Sequence, residues 1–226
     1  MGVGRGARIQ EARIAVVGAG ALGCGVLPRL LHLPVSELTI VDGDRVEDHN
    51  LDRQELYAPI DIGWPKAAVA ASWLRHAPKA VHVQAVDAFL SAANADELIG
   101  DQDIVVDLTD DVHVRRLIDR TCARHGVALV SGAVHGTQGQ VVVLHAPGDD
   151  AHIGLPDLFQ GVPASEQDGC DMRQVPAATI EAVTARVAFL VRQVMQGAPG
   201  LNGRIDVHDP ARGGWMTLTP PGTRSA

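Results

Sequence analysis

Aromatic side chains are nearly missing from this sequence: phenylalanine, tyrosine and tryptophan together make up 3% of 226 residues. A core built without them comes from Ala, Val, Leu and Ile, which suits aliphatic helices on a parallel sheet. Cysteine is scarce too, with only Cys24, Cys122 and Cys170, odd in number and widely spaced. That excludes a disulfide framework and points to a reducing, cytoplasmic setting. No uninterrupted apolar run reaches the ~18 residues of a membrane span, so no transmembrane helix and no membrane partner is expected. A basic excess is lacking as well: the formal net charge of −8 argues against general nucleic-acid binding. The histidines show no H-x-x-x-H spacing, and there is no internal repeat or low-complexity segment. Arg5, Arg8 and Arg13 ahead of the apolar Ile14 to Leu27 imitate a secretion signal. Glu11 interrupts that basic flank, and the apolar run holds a glycine loop, so it reads as the first strand.

What is present is concentrated between Arg13 and Lys66. The apolar run Arg13 to Val17 fits a buried strand bounded by glycine. Gly18-Ala19-Gly20-Ala21-Leu22-Gly23 then matches G-x-G-x-x-G, with a helix-like run behind it. The next apolar run, Leu38 to Val41, ends in Asp42, near the ~20-residue spacing of a ribose-binding acid. The glycines allow a tight turn and let backbone N–H groups approach a phosphate at a helix N-terminus. The following loop delivers Arg53 and Lys66. A dinucleotide enzyme has no need of them, whereas the β- and γ-phosphates of a triphosphate require cations.

The remaining chain alternates strands and helices, which predicts a Rossmann-like doubly wound α/β sheet. Helices are expected over Ala21 to His32, with Pro28 kinking it or ending it early, from Pro65 on, over Ala93 to Ile99, and over Val112 to His125, closed by Gly126. Strands are expected over Val81 to Val86, Asp103 to Asp107 and Ala128 to Val130. From Gly132 the pattern changes. Gln140 to His145 follows too closely for a helical crossover, so antiparallel strands are expected in the C-terminal part. Pro147 to Gln174 reads as a long loop, Ala177 to Gln196 as a helix, and Gly203 to His208 with Gly214 to Thr219 as a closing hairpin. With 46% hydrophobic residues, a single domain over 1–226 is expected, with 220–226 a flexible tail.

Taken together, the motifs resemble the ThiF/MoeB/HesA family of adenylating enzymes, relatives of the ubiquitin-activating E1 domain. That family carries G-x-G-x-x-G, D-x-D-x-V-x-x-x-N-L-x-R-Q, a Lys, and a T-D-N element. Here these are Gly18/Gly20/Gly23, Asp42/Asp44/Val46, Asn50/Leu51/Arg53/Gln54, Lys66 and Thr109-Asp110. Asp111 stands where the family has Asn. The resemblance runs from Arg13 to Thr219.

The resemblance implies an ATP-dependent adenylyltransferase that activates the C-terminal carboxylate of a ubiquitin-like sulfur carrier ending in Gly-Gly. The pathway would be thiamine or molybdopterin sulfur insertion. It implies that Asp42 holds the ribose, that the Gly20-Ala21 backbone lines the phosphates, and that Arg53 and Lys66 neutralise them. Asp110 would hold Mg²⁺, and Gly18, Gly23, Asp44, Asn50, Gln54 and Asp111 would complete the nucleotide site. Cys170 falls near a cysteine that sulfur-handling relatives use. A homodimer is implied as well. The two CxxC pairs that bind structural zinc in many relatives are absent, Ala151 to Pro156 standing where the first would fall, so no zinc is expected. Relatives also carry an R-x-x-R-Q-like element near the N-terminus; Arg5 and Arg8 are the nearest counterparts here.

Other readings use the same residues. Arg53 has Asp52 and Glu55 beside it for surface pairing, Asp107 or Asp110 suits a helix cap, and Asp44, His49 and Asn50 suit loop shaping. Cys24 and Cys122 suit core packing. Adenylation of a peptide or small-molecule carboxylate, an NAD(P)-dependent oxidoreductase and a non-catalytic carrier-binding scaffold are the alternative functions.

Overall fold

A computed structural model of the chain describes residues 8–77, 81–148, 153–159 and 174–219. Its centre is β1 (Ala12–Val17), whose residues are buried except for half-buried Arg13. On one side of β1 lie β2 (Val35–Val41) and β3 (His82–Val86), both parallel. On the other lie β4 (Ile104–Asp107) and β5 (Ala128–His135), also parallel. Three antiparallel strands then extend the sheet: β6 (Gln138–Leu144), β7 (Arg204–Asp209) and β8 (Gly214–Leu218). The order β3-β2-β1-β4-β5-β6-β7-β8 reverses direction between β1 and β4. In an open sheet, that reversal leaves a crevice at the carboxyl ends of the two strands.

Strand alternation divides the core into two layers. Ile14, Val16, Ile104 and Val106 face a layer built with α1 (Ala21–Leu30), α2 (Lys66–Arg75) and α6 (Ala177–Met195). Ala15, Val17 and Val105 face a layer built with α3 (Ala95–Ile99), α4 (Val112–His125) and the single turn α5 (Leu155–Leu158). Burial on both faces explains why these strands read as unbroken apolar runs.

Helix α1 runs through Pro28 and ends at Leu30, two residues before the expected His32. Helix α4 ends as expected at Gly126, whose φ of 67° is the left-handed C-cap conformation. Strand β5 is longer than its sequence suggests and runs through Gly132 to His135. The two-residue turn Gly136-Thr137 then returns the chain into β6, with Gly136 at φ 55°. Pro147 to Gln174 contains the helical turn α5, and most of it lies outside the described residues, as do Cys170 and the 220–226 tail. Among the described residues, no helix is long and apolar enough to cross a membrane.

Candidate functional site

The crevice between β1 and β4 opens into a groove of about 680 Å³. Its floor is the glycine turn after β1. Gly18 has a φ of 100°, and a Cβ there would meet the Leu108 carbonyl at 2.9 Å. A Cβ on Gly23 would meet the Gly18 carbonyl at 2.4 Å. The turn therefore closes only with glycine at both positions. Gly20 is the N-cap of α1 and has no side chain to occupy the N-terminal amides, which suits an anion there.

Asp42 ties this turn to β2. Its carboxylate accepts from Ala19 N at 2.6 Å and from Asp44 N at 2.8 Å. A carboxylate offers about four acceptor positions, so two hydrogen bonds leave room for hydroxyl donors from a ligand. Burial raises the Asp42 pKa above its ordinary value of 3.8, against the two N–H donors, which lower it. Such a group takes up a proton more readily folded than unfolded. It contributes stability that is fully present below 3.8 and lost as pH rises through the higher folded value. Wild type is therefore expected to gain stability relative to Asp42→Asn as the pH falls from neutral through that window. Urea denaturation of both proteins across the range checks this; a difference that stays constant with pH refutes it.

The second wall comes from the loop before α2. Lys66 opens α2 with its side chain 8% exposed, and its Nζ lies 3.1 Å from Asp44 Oδ2. Gln54 is buried on the same wall, and its Oε1 has no hydrogen-bond partner. Arg53 is half-buried and is not one of the groove's lining residues. Its Nε is shielded and unpaired, and no ion pair to Asp52 or Glu55 forms among the described residues. Asn50 is buried and structural, its Oδ1 accepting from Glu47 N at 3.1 Å. The lone tyrosine, Tyr57, gave no sign of its place in the sequence. Its hydroxyl donates to Ala19 O at 2.7 Å and so pins this loop to the glycine turn.

The third wall is the turn from β4 into α4. Asp107 is fully buried. One oxygen accepts from Thr109 N at 3.0 Å and Thr109 Oγ1 at 2.7 Å; the other accepts from Ser131 Oγ at 2.7 Å. Arg115 Nε lies 3.5 Å from that second oxygen, and the same guanidinium donates to Ser131 Oγ and to the Thr109 carbonyl. Asp107 and Arg115 thus hold the turn that presents Asp110. Asp110 itself is exposed on the groove wall, and its carboxylate has no partner among the described residues. The cap of α4 is neither Asp107 nor Asp110 but Asp111, which accepts from His113 N at 2.7 Å and Val114 N at 3.2 Å.

Gly18, Gly20, Ala21, Asp42, Asp44, Gln54, Lys66, Asp110 and Asp111 therefore share one groove, with Gly23 packed beneath it. Arg115 belongs with them and was missed. It lies on α4 while its partner Ser131 lies on β5, so no local spacing marks it. Cys24 and Cys122 are buried, with burial pushing the Cys24 thiol up to about 12. They pack rather than react.

The model of the ThiF family matches residues 1–225. The SAMP-activating enzyme E1 of Haloferax volcanii is 38% identical over 202 residues, covering 89% of this chain and 74% of the relative. A sulfur carrier protein adenylyltransferase of Thermus thermophilus is 41% identical over 140 residues, 62% of this chain and 52% of its own. The molybdopterin-synthase adenylyltransferase of Escherichia coli is 34% identical over 152 residues, with 61% of its length matched. The chain thus spans between half and three-quarters of these relatives. Among solved structures, E. coli MccB with ATP superposes with a TM-score of 0.72 at 17% identity, over 94% of this chain and 65% of that one. That likeness concerns the fold.

Proposed function

The chain belongs to the ThiF family, and from that premise we propose that it is an ATP-dependent adenylyltransferase acting on the C-terminal carboxylate of a ubiquitin-like sulfur carrier. The observation that carries the reading is the groove itself, which joins a phosphate-sized glycine turn to Asp42, Lys66 and the unpartnered Asp110. The names of the relatives, which include a sulfur carrier and a molybdopterin-synthase adenylyltransferase, support the choice of acceptor.

In the reaction, a carboxylate oxygen attacks the α-phosphorus, the bond to the bridging oxygen breaks, and pyrophosphate leaves with the electron pair. An acyl-adenylate remains. Two anions must meet, so positioning and neutralisation dominate the barrier. Ionised Asp42 accepts from the ribose hydroxyls. The α1 N-terminus and its glycine amides face the phosphates. Lys66 exchanges the half-exposed Asp44 for a phosphate oxygen, and the unpaired Arg53 Nε and Gln54 Oε1 mark polar groups still lacking partners.

The site also suits Mg²⁺. No group of three or more acidic, His or Cys side chains forms a cage among the described residues, and Mg²⁺ commonly binds through one or two carboxylates plus substrate phosphates. Asp110, exposed on the groove wall, would be that carboxylate. Bound there, the ion would neutralise phosphate charge. We propose no zinc, since the three cysteines form no CxxC pair. A homodimer working in the cytoplasm is part of the same proposal, the two buried thiols fitting a reducing compartment.

ATP–pyrophosphate exchange, assayed with Mg²⁺ and carriers ending in Gly-Gly, tests this. Exchange that depends on a carrier supports the proposal and names the partner. Exchange driven by peptides or small carboxylates would shift the acceptor. NAD binding without ATP binding would refute the assignment of ATP.

A further inference from the structure

The loop after β3 carries one of the few aromatic rings in the chain, Phe89. It lines the groove and is 68% exposed. A single exposed Phe is ordinary on a protein surface. This one has one side packed and its backbone tied down. A Cβ on Gly43 would meet the Phe89 ring at 2.7 Å, so the ring rests on the backbone of the residue directly after Asp42. Its carbonyl accepts from Asn94 Nδ2 at 3.1 Å, and Asn94 Oδ1 in turn accepts from Ser91 N at 2.8 Å. The next residue, Leu90, is buried in the core layer on the α3–α4 face. Arg45 and Asp87 pair across the loop at 3.4 Å.

With phosphates at the α1 N-terminus and ribose at Asp42, which follows β2, the nucleotide runs outward from β1 across β2, and the base, attached to the far side of the ribose, falls toward the next strand. Here that neighbour is β3, and the groove wall beside Phe89 is Val41, Ala88 and Leu90. None of these side chains donates or accepts a hydrogen bond. Resting on the nucleotide reading above, we infer that Phe89 is the platform on which the nucleobase stacks, and that stacking holds the base without a side-chain hydrogen bond. Aromatic stacking is tolerant of base identity because every base offers a π-face.

The test is isothermal titration of the full chain and of Phe89→Ala and Phe89→Trp with ATP, GTP and inorganic tripolyphosphate. Phe89 is exposed, so the variants are expected to fold, and their melting curves check this. Phe89→Ala is expected to weaken ATP about 10- to 100-fold and GTP by the same factor. Tripolyphosphate affinity should be unchanged, and Phe89→Trp should restore ATP binding. Wild-type ATP binding that Phe89→Ala leaves intact overturns the stacking role. Equal losses of ATP and tripolyphosphate overturn it too, by showing that the ring shapes the site instead. Failure of the wild type to bind any of the three ligands overturns the nucleotide reading, and the inference with it.

Discussion

Asp110→Ala is expected to lower the kcat of carrier-dependent ATP–pyrophosphate exchange by about 10²- to 10³-fold, the loss typical when one preorganised stabiliser of developing charge is removed. Its melting temperature should stay close to wild type. The side chain is exposed and has no partner among the described residues, so its removal leaves no buried group unsatisfied. The adjacent Asp111→Ala should behave in the opposite way. Its carboxylate caps α4 through His113 N and Val114 N, and losing such a cap costs about 0.5–2 kcal/mol. Exchange activity should then fall only modestly. Kinetics and thermal melting of the two variants separate chemistry from capping at neighbouring residues. If Asp111→Ala lost exchange as deeply as Asp110→Ala, both acids would have to be placed at the reacting phosphate.

That pair also shows which features the sequence could carry. The acid ending β4 and the helix behind it were legible, because local patterns declare a buried strand and an amphipathic helix. Which acid caps the helix was not, since Asp107, Asp110 and Asp111 all stand within reach of its start. Asp caps a helix about as well as Asn does, so the departure of Asp111 from the family's Asn leaves the α4 cap intact. The glycine turn was legible for a similar reason. Gly23 is required by its contact with Gly18 five residues earlier, and Gly18 by its own φ of 100°, although Leu108 and Thr109 also close in on Gly18 from far along the chain. Gly132 is the contrary case. The strand expected over Ala128 to Val130 in fact runs on through it, and a Cβ there would meet Val187 of α6 at 2.9 Å and Leu108 at 3.1 Å. The glycine permits close packing from distant segments, which no local window reveals. Tyr57 and Arg115 were invisible on the same grounds. Each acts on a carbonyl or side chain fixed only once the sheet has assembled.

The buried cluster behind Asp110 makes the second large effect a matter of stability. Asp107→Ala would strip four contacts at once: two from Thr109, one from Ser131 and the Arg115 guanidinium. Arg115 is left with its side chain only 14% exposed and no counter-charge. Removing one member of a buried ion pair typically costs about 3–5 kcal/mol, mostly for the charge left behind. In a domain of this size, 1 kcal/mol moves Tm by about 2–4 °C, so a drop of roughly 10 °C is expected. Ser131→Ala, which removes one neutral donor, should cost only about 1 kcal/mol. If the unpaired guanidinium is the cause, Asp107→Ala with Arg115→Met should recover part of the loss, whereas independent contributions would add. Differential scanning calorimetry of the two singles and the double decides between them. Exchange measured well below the lowered Tm should still fall, because Asp107 fixes the Thr109 turn from which Asp110 projects. A stable Asp107→Ala protein with full activity would mean that the turn is held by its backbone alone.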